Sequence, residues 1–257
     1  MRWAAFILAA AFPFASTASA QDDKVWQAGL SLSWQSGDYG EPEDTDLLYI
    51  PVSVKRYFER GTISMSVPYL DLSTEGFATV IDGAVQNVGE GGSRETGSGL
   101  GDIVLRGLFE AKEQEDGWPF IDLTTKLKVP TGDEEKGLGT GEADIGFGVE
   151  LTRVLDHGFY LMSELGYTFI GEPSGFRLQD RWSYAIGAGR QATRQLQLTA
   201  MLDGRTSLTP GNDDPLSLLL FGTWKESDAL LLDAMFEFGL NDGSPELGIT
   251  VGARHRW

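Results

Sequence analysis

Acidic and basic residues alternate with apolar ones in several segments of this 257-residue chain. In the segment 102–110, Asp102, Arg106 and Glu110 occupy even-numbered positions, whereas Ile103 and Phe109 occupy odd-numbered positions. Because successive side chains of a β-strand point to opposite faces, the three charges are expected on one face. Carboxylate and guanidinium groups arranged in this way can form ion pairs, line a hydrated pathway or take part in acid–base chemistry.

The same alternation predicts a charged face on four consecutive strands. Its members are Asp102, Arg106, Glu110, Asp122, Lys126, Lys128, Glu142, Asp144, Glu150 and Glu164. So many charges of mixed sign do not form a dry core, because each unpaired buried ion costs on the order of several kcal/mol. Two arrangements remain: the side chains line a water-filled lumen, or they pair across a narrow barrel and plug it.

Alternation of polar and apolar residues recurs in twelve segments, each long enough to cross a bilayer when tilted. The predicted strands are 25–35, 46–58, 61–70, 100–112, 118–130, 142–154, 159–170, 180–191, 195–208, 215–225, 229–240 and 245–257. Short connections such as 59–60 alternate with longer ones such as 71–99, as periplasmic turns and outer loops do in outer-membrane barrels. The sequence therefore predicts an all-β fold, a transmembrane antiparallel up-and-down β-barrel of about 12 strands. A soluble sandwich would share the alternation but not this asymmetry of the loops.

Residues 1–20 have the features of a cleaved export signal. Arg2 supplies the positive charge, residues 3–14 are mostly apolar, and Ala18-Ser19-Ala20 offers small residues before the cleavage point. A membrane-anchoring helix is the alternative, but the apolar stretch is shorter than the ~20 residues that span hydrocarbon. We expect a signal peptide at 1–20 and one domain, an outer-membrane β-barrel, at 21–257.

The last predicted strand ends on an aromatic residue, Trp257. Its apolar residues lie on the same face of the strand as Trp257, and its charged residues lie on the opposite face. The closing strand of an outer-membrane barrel has this pattern. Thr250, Gly252, His255 and Trp257 resemble the terminal signal recognised by the barrel-assembly machinery, with His255 in place of the usual hydrophobic residue. The predicted location is the bacterial outer membrane, with lipids, lipopolysaccharide and the assembly machinery as partners.

Aromatic residues concentrate near both ends of the predicted strands. One set falls at the predicted periplasmic ends: Trp26, Phe58, Trp118, Phe159, Trp224 and Trp257. The other falls at the outer ends: Trp34, Tyr69, Tyr167, Phe169, Trp182, Tyr184 and Phe238. Two such rings are typical of the interfacial girdles of a membrane barrel.

Charge and composition exclude some classes of function. The formal net charge of −18 argues against nucleic acid as a partner, and the chain has no cysteine for disulfides. Acidic runs such as Glu41–Asp46 lack the spacing of a calcium loop, so no metal or other cofactor is predicted. These runs are interpreted as solvated loops, or as loops that share divalent cations with anionic lipid headgroups.

Four segments of the chain together resemble a known family. Ser98-Gly-Leu-Gly-Asp-Ile103, Leu127-Lys-Val-Pro-Thr-Gly-Asp133 and Gly139-Thr-Gly-Glu-Ala-Asp-Ile-Gly-Phe-Gly148 precede Leu165-Gly-Tyr-Thr-Phe169. In order and spacing they are similar to outer-membrane transporters of the phenol-degradation meta-pathway type. The resemblance is densest over residues 98–170. It implies a barrel that passes small solutes, including aromatic or hydrophobic compounds, across the outer membrane.

Three classes of function are compatible with these residues. The first is a channel for passive diffusion of small solutes through a charged lumen, and the second is a structural or membrane-anchoring barrel. The third is an outer-membrane hydrolase, which usually needs a histidine base. His157 and His255 share no face with a serine and a carboxylate, although paired carboxylates could serve an acid protease. We predict a non-enzymatic channel.

Antiparallel pairing places a charged cluster at the predicted outer mouth. Pairing Lys112 with Trp118 sets Asp102 opposite Lys128, and continuing the sheet sets Lys128 opposite Asp144, with Glu142 one step above. One hypothesis is that the cluster shapes the mouth and favours cations or neutral solutes. The other is that it neutralises inward charges and fixes strand register.

Overall fold

The computed structural model describes residues 25–40, 42, 44–74, 78–81, 83–87, 95–115, 117–173 and 177–257. In this part of the chain, alternating residues form long antiparallel strands that close into a twelve-stranded barrel. The strands of the wall are β1 (Trp26–Gly37), β2 (Thr45–Phe58), β3 (Gly61–Thr74), β6 (Glu95–Leu100) with β7 (Ile103–Lys112), β8 (Phe120–Val129), β9 (Asp144–Val154), β10 (Phe159–Phe169), β11 (Arg181–Gln191), β12 (Leu196–Arg205), β13 (Leu216–Lys225), β14 (Leu230–Gly239) and β15 (Leu247–Arg256). The predicted signal peptide at 1–20 lies outside the described residues.

Closure of the barrel follows from the pairing of its first and last strands. β1 pairs antiparallel with β15 on one side and with β2 on the other, and each remaining wall strand pairs with its sequence neighbours. The fourth wall strand is interrupted at Gly101 and Asp102, which divide β6 from β7. Closure removes the unpaired edges on which an open sheet would aggregate. The predicted all-β barrel and its strand number are confirmed.

Burial alternates along each strand with a period of two. Ile63 is 58% exposed and Ile186 is 64% exposed on the outer face, whereas Ser33 and Gln27 on the inner face are almost fully buried. An apolar exterior around a polar interior is the reverse of a soluble fold, and it matches immersion in hydrocarbon. Among the described residues, no helix has the length and hydrophobicity needed to cross a bilayer.

Aromatic residues project from both rims of the outer face, as predicted. Phe58, Trp118 and Trp257 are at least half exposed at one end, and Phe169 and Trp182 are comparably exposed at the other. In β15, His255 also points outward and stacks on Trp257 at 6.1 Å between ring centroids. The short turns, the start of β1 and the end of β15 all lie at one end of the barrel. In outer-membrane barrels this is the periplasmic end.

The connection predicted as one long loop at 71–99 is partly structured. β3 continues to Thr74, β6 begins at Glu95, and a hairpin of β4 (Ala78–Ile81) and β5 (Ala84–Asn87) lies between them. Two three-residue 3₁₀ helices, Glu134–Lys136 and Asp156–Gly158, occur in other connections. The hairpin was missed because four-residue apolar segments carry too little periodicity to separate them from a loop.

The predicted register between the fourth and fifth wall strands was wrong by two residues. Lys128 is opposite Val104 rather than Asp102, and Glu110 is opposite Asp122. The pairing is irregular between Glu110 and Lys112, and β8 begins at Phe120 rather than at the predicted residue 118. An even shift preserves the inward face of every side chain, which is why the predicted face still holds.

Leu123 provides a test of which face of β8 meets lipid. It is 45% exposed on the outer face of the wall. Substituting Leu123→Arg places a charge in hydrocarbon and is expected to destabilise the barrel by roughly 2–4 kcal/mol near the midplane. Urea unfolding of the protein refolded into lipid vesicles measures this, with Leu123→Ala as the uncharged control. Equal stability of the two variants would mean that this face does not meet lipid.

Candidate functional site

The β4–β5 hairpin enters the outer mouth of the barrel instead of extending into solvent. Val80 and Val85 are 4% and 2% exposed and pack against inward residues of β2 and β3. The wall side of this apolar cluster consists of Leu47, Tyr49, Leu70 and Leu72, joined by Tyr39 and Leu138. Burial of the apolar hairpin face holds it inside the mouth.

Hydrogen bonds fix the hairpin to a neighbouring outer loop. The Val80 backbone N–H donates to the Gly137 carbonyl at 3.0 Å, and the Thr79 hydroxyl donates to the Gly139 carbonyl at 3.2 Å. Gly137 has φ of 69°, and a Cβ there would lie 2.6 Å from the Ala78 carbonyl oxygen. Only glycine fits this backbone conformation and this close approach.

The hairpin also reaches the far wall of the barrel. Arg181 Nη2 of β11 donates to Gln86 Oε1 at 2.6 Å, and both side chains are buried. Because β11 lies almost opposite β2 and β3 in the strand order, the hairpin spans the lumen. This segment partly occludes the outer mouth of the barrel.

A vestibule remains open beside the hairpin. Its volume is about 300 Å³, and it lies between the hairpin and two outer loops that follow β12 and β14. Its lining includes Tyr39, Gln86, Asp213 and Asp242. Burial and the nearby carboxylate of Glu237 raise the pKa of the Tyr39 phenol, so this group stays neutral. Gln86 in this lining is the residue that accepts the hydrogen bond from Arg181.

Lys128 forms the predicted cluster with two carboxylates. Lys128 Nζ lies 3.3 Å from Asp102 Oδ2 and 3.0 Å from Asp144 Oδ2, and it also donates to the Thr140 hydroxyl at 2.7 Å. Asp144 is directly opposite Lys128, as predicted, whereas Asp102 reaches it diagonally. The predicted cluster is therefore present, although one of its two pairings differs.

The cluster also binds the backbone of the outer loops. Asp102 Oδ1 accepts hydrogen bonds from the Thr131 and Gly132 N–H groups at 3.0 and 2.8 Å, and Asp144 Oδ1 accepts one from the Gly171 N–H at 2.9 Å. Lys128 and Asp144 are 0% exposed. This enclosed geometry favours bracing of the loops over direct contact with a passing solute.

Glu142 does not join the cluster. It lies in the loop before β9, which begins at Asp144, and its side chain is exposed. The strand therefore begins two residues later in the chain than the sequence pattern predicted. The position of Glu142 is a correction to the predicted lumen-facing set.

The remaining predicted charges lie together across the middle of the wall. In register, Glu110, Asp122, Glu150 and Glu164 form a row of directly opposed carboxylates on β7 to β10. Directly opposed like charges repel each other, so such a row needs neighbouring cations. Two inward-facing positions towards the outer end, Arg106 is opposite Lys126, and both interact electrostatically with Glu164. Among the described residues, no three acidic or histidine side chains are placed to hold a metal ion.

A second ion pair lies nearer the periplasmic end. Arg254 donates to both carboxylate oxygens of Asp233 at 2.7 Å, a bidentate pair between β15 and β14. Arg256 lies over the Tyr57 ring at 4.3 Å. Both pairs hold inward side chains against the wall and leave the centre of the lumen to other groups.

An apolar patch interrupts this polar interior on β10 to β14. Its buried members are Tyr160, Met162, Ala185, Met201 and Leu219, with Val154, Phe221 and Met235 packed against them. Strand alternation in the sequence places Tyr160 and Met162 on the same inward face as Glu164, but it does not show that three methionines from alternate strands converge. The sequence signal was that Met201 and Met235 are two residues from Asp203, Asp233 and Glu237 on their strands. Residues two apart on a strand share a face.

An apolar exterior, two aromatic rims and a charged interior with an apolar patch define a bacterial outer-membrane barrel. The family model described as "Putative MetA-pathway of phenol degradation" matches residues 55–257. The chain belongs to this family, which confirms the resemblance of the glycine- and aspartate-containing segments. No curated protein sequence matches the chain significantly.

Solved structures share this fold at low sequence identity. An outer membrane channel from Pseudomonas putida F1 has a TM-score of 0.69 at 10% identity, covering 93% of this chain and 97% of that one. The NanC porin has a TM-score of 0.56 at 7% identity, covering 90% and 100%. The toluene transporter TbuX of Ralstonia pickettii has a TM-score of 0.50 at 10% identity, covering 92% and 90%. At these identities the similarities show the fold, which is that of outer-membrane β-barrels.

Proposed function

We propose that the protein is a non-enzymatic outer-membrane channel through which small aromatic or hydrophobic solutes diffuse passively. The observation that carries this proposal is the apolar patch around Met162 and Met201, which lies beside the charged rows of the lumen. Sites for small organic molecules are mostly apolar with a few polar groups, and methionine adapts to ligands of different shape. A lumen that served water and ions alone would gain nothing from this patch.

The arrangement of the lumen supports a narrow pathway. A solute enters by the vestibule, passes the charged rows and then contacts the patch formed around Met162 and Met201. Because these methionines are 8% and 4% exposed, a solute must displace their flexible side chains to pass. The structural similarity to TbuX, a toluene transporter, supports a similar class of solute for this chain.

The proposal extends to the chain ends and the membrane partners. We propose that residues 1–20 direct export and that Thr250, Gly252, His255 and Trp257 are recognised by the barrel-assembly machinery. Lipids surround the apolar exterior, and lipopolysaccharide is the proposed contact of the outer rim.

Two alanines of β11 provide a matched test. Ala185 is buried and faces the apolar patch, whereas Ala188 is exposed on the outer face. Ala185→Trp is expected to fill the pathway and abolish most of the toluene uptake that the protein confers on a host bacterium. Ala188→Trp enlarges the lipid face and is expected to leave uptake intact. The measurement is the initial rate of radiolabelled toluene uptake at matched protein levels in the outer membrane.

If Ala185→Trp supports the same toluene uptake as the unchanged protein, solute does not pass through this part of the lumen. If the unchanged protein adds no uptake above the empty host, the proposed substrate class is wrong.

A further inference from the structure

A polar recess lies in the wall of the lumen below the hairpin. Its cavity volume is about 70 Å³. Three glycines form its floor, Gly146 and Gly148 on β9 and Gly166 on β10, because they leave the inner face of the wall without side chains. The recess is therefore a place where a small group can approach the backbone of the barrel.

Basic side chains flank the glycine floor on both sides. Arg106 and Lys126 line the recess from β7 and β8, and Arg181 and Arg205 line it from β11 and β12. In register, Lys126 is opposite Gly146, whereas Arg205 is reached from Gly166 through one intervening strand. A group seated on the floor is thus between two pairs of positive charges.

Hydroxyl groups extend over the same floor. A Cβ on Gly166 would lie 2.6 Å from Ser183 Oγ, and one on Gly148 would lie 2.7 Å from Thr124 Oγ1. The Thr168 hydroxyl would be 3.0 Å from a Cβ on Gly146. Hydroxyl groups are available as hydrogen-bond donors to an anion at this position.

Arg205 interacts electrostatically with Asp203 and Glu237, but two of its nitrogen atoms make no hydrogen bond within the described part of the chain. It is 4% exposed, and neither its Nε nor its Nη1 has a hydrogen-bond partner among the described residues. Leaving charged N–H groups buried and unpaired is costly, so a carboxylate in the recess would satisfy them. Glu164 and Asp203 also line the recess, but they lie one step further towards the periplasmic end.

Ala185 connects the recess with the apolar patch. It lies between Glu164 and Asp203 in the register, where it interrupts the acidic row, and it belongs to both the recess lining and the patch. An apolar body attached to a carboxylate in the recess can extend over Ala185 towards Met162 and Met201. We propose that the recess binds small organic monocarboxylates with an apolar, aromatic body, of which benzoate is the simplest probe. This inference deepens the proposed function and rests on the lumen being a solute pathway.

The test is equilibrium binding of benzoate to the refolded protein in non-ionic detergent, measured by isothermal titration calorimetry. We expect benzoate to bind more tightly than acetate, which lacks the apolar body, and than phenol, which lacks the carboxylate. Arg205→Gln is expected to weaken benzoate binding by about tenfold, because it removes a charge-assisted hydrogen bond. Slower migration on a gel after boiling verifies that each variant is folded.

Arg256→Gln is the matched control. Arg256 is also an inward arginine with an unpartnered Nε, but it lies at the periplasmic end over Tyr57. Its loss removes the same charge from the lumen and is expected to leave benzoate binding unchanged.

Gly146→Ala is a second probe that fills the floor without changing charge. The three atoms nearest to its Cβ are Thr168 Oγ1 and two Lys126 side-chain atoms, at 3.0 to 3.4 Å, so the variant is expected to fold and to bind benzoate more weakly.

The proposal is overturned if benzoate does not bind, if acetate or phenol binds as tightly, or if Arg256→Gln weakens binding as much as Arg205→Gln. Binding in detergent requires no transport, so it is distinguishable from the toluene uptake test. Benzoate binding that depends on Arg205 without toluene uptake would retain the recess and reject the proposed solute pathway.

Discussion

Replacing residues 78–87 with a short Gly-Ser linker is expected to raise the single-channel conductance of the barrel severalfold. The hairpin buries Val80 and Val85 against one wall and contacts Arg181 on the other, so it occupies the cross-section through which ions must pass. Its removal leaves the wall strands and their pairing intact. Conductance of the refolded variant in planar bilayers, in the same salt as the unchanged protein, measures the effect.

A pair of arginine variants controls for changes in charge at the outer end. Arg181→Gln removes the hydrogen bond to Gln86 and is expected to increase the open-channel current fluctuations, because the hairpin loses its far anchor. Arg177→Gln removes an exposed arginine from the preceding loop and is expected to have no such effect.

Unchanged conductance after deletion of the hairpin would show that the hairpin does not limit the passage of ions.

Lys128→Met is expected to lower the free energy of unfolding by about 3–5 kcal/mol, because it leaves Asp102 and Asp144 buried without their shared cation. Methionine retains much of the volume of lysine, so the change isolates the charge. Urea unfolding followed by tryptophan fluorescence measures the stability, and trypsin digestion detects loosening of the loop at 130–143.

Lys136→Met is the control on the same loop. Lys136 forms an ion pair with Asp133 at 3.2 Å, but both side chains are about half exposed. Exposed pairs contribute roughly 0–1 kcal/mol, so this variant is expected to unfold almost like the unchanged protein. Equal stability of the two variants would contradict bracing by Lys128. A shifted reversal potential in a salt gradient would then favour the alternative, in which the cluster selects solutes at the mouth.

Much of the wall could be predicted because membrane immersion imposes one rule on every strand. Leu123 and Ile186 must face lipid, so alternation identifies the faces, and the order of short and long connections identifies the topology. Lys128 opposite Asp144 followed from the register across the connection at 130–143. Periodicity was reliable here because both faces of the wall have distinct chemistry.

Features that depend on local irregularity could not be predicted in the same way. Lys128 pairs with Val104, two residues from the predicted Asp102, and alternation is unchanged by an even shift. The inward position of the β4–β5 hairpin depends on contacts with Tyr49 and Gly137, which are distant in sequence. The apolar patch and the recess arise from side chains of several strands meeting in space, a property that no single segment contains.

The most direct test of a solute pathway through this lumen is the single-channel conductance of the unchanged protein in planar bilayers. Discrete current steps are expected, smaller than those of the variant without the hairpin, because the vestibule beside the hairpin leaves a narrow opening. Addition of benzoate is expected to interrupt these steps in the unchanged protein but less so in Arg205→Gln. A folded, heat-modifiable barrel that gives no steps, with or without residues 78–87, would show that the lumen is sealed and would contradict a channel.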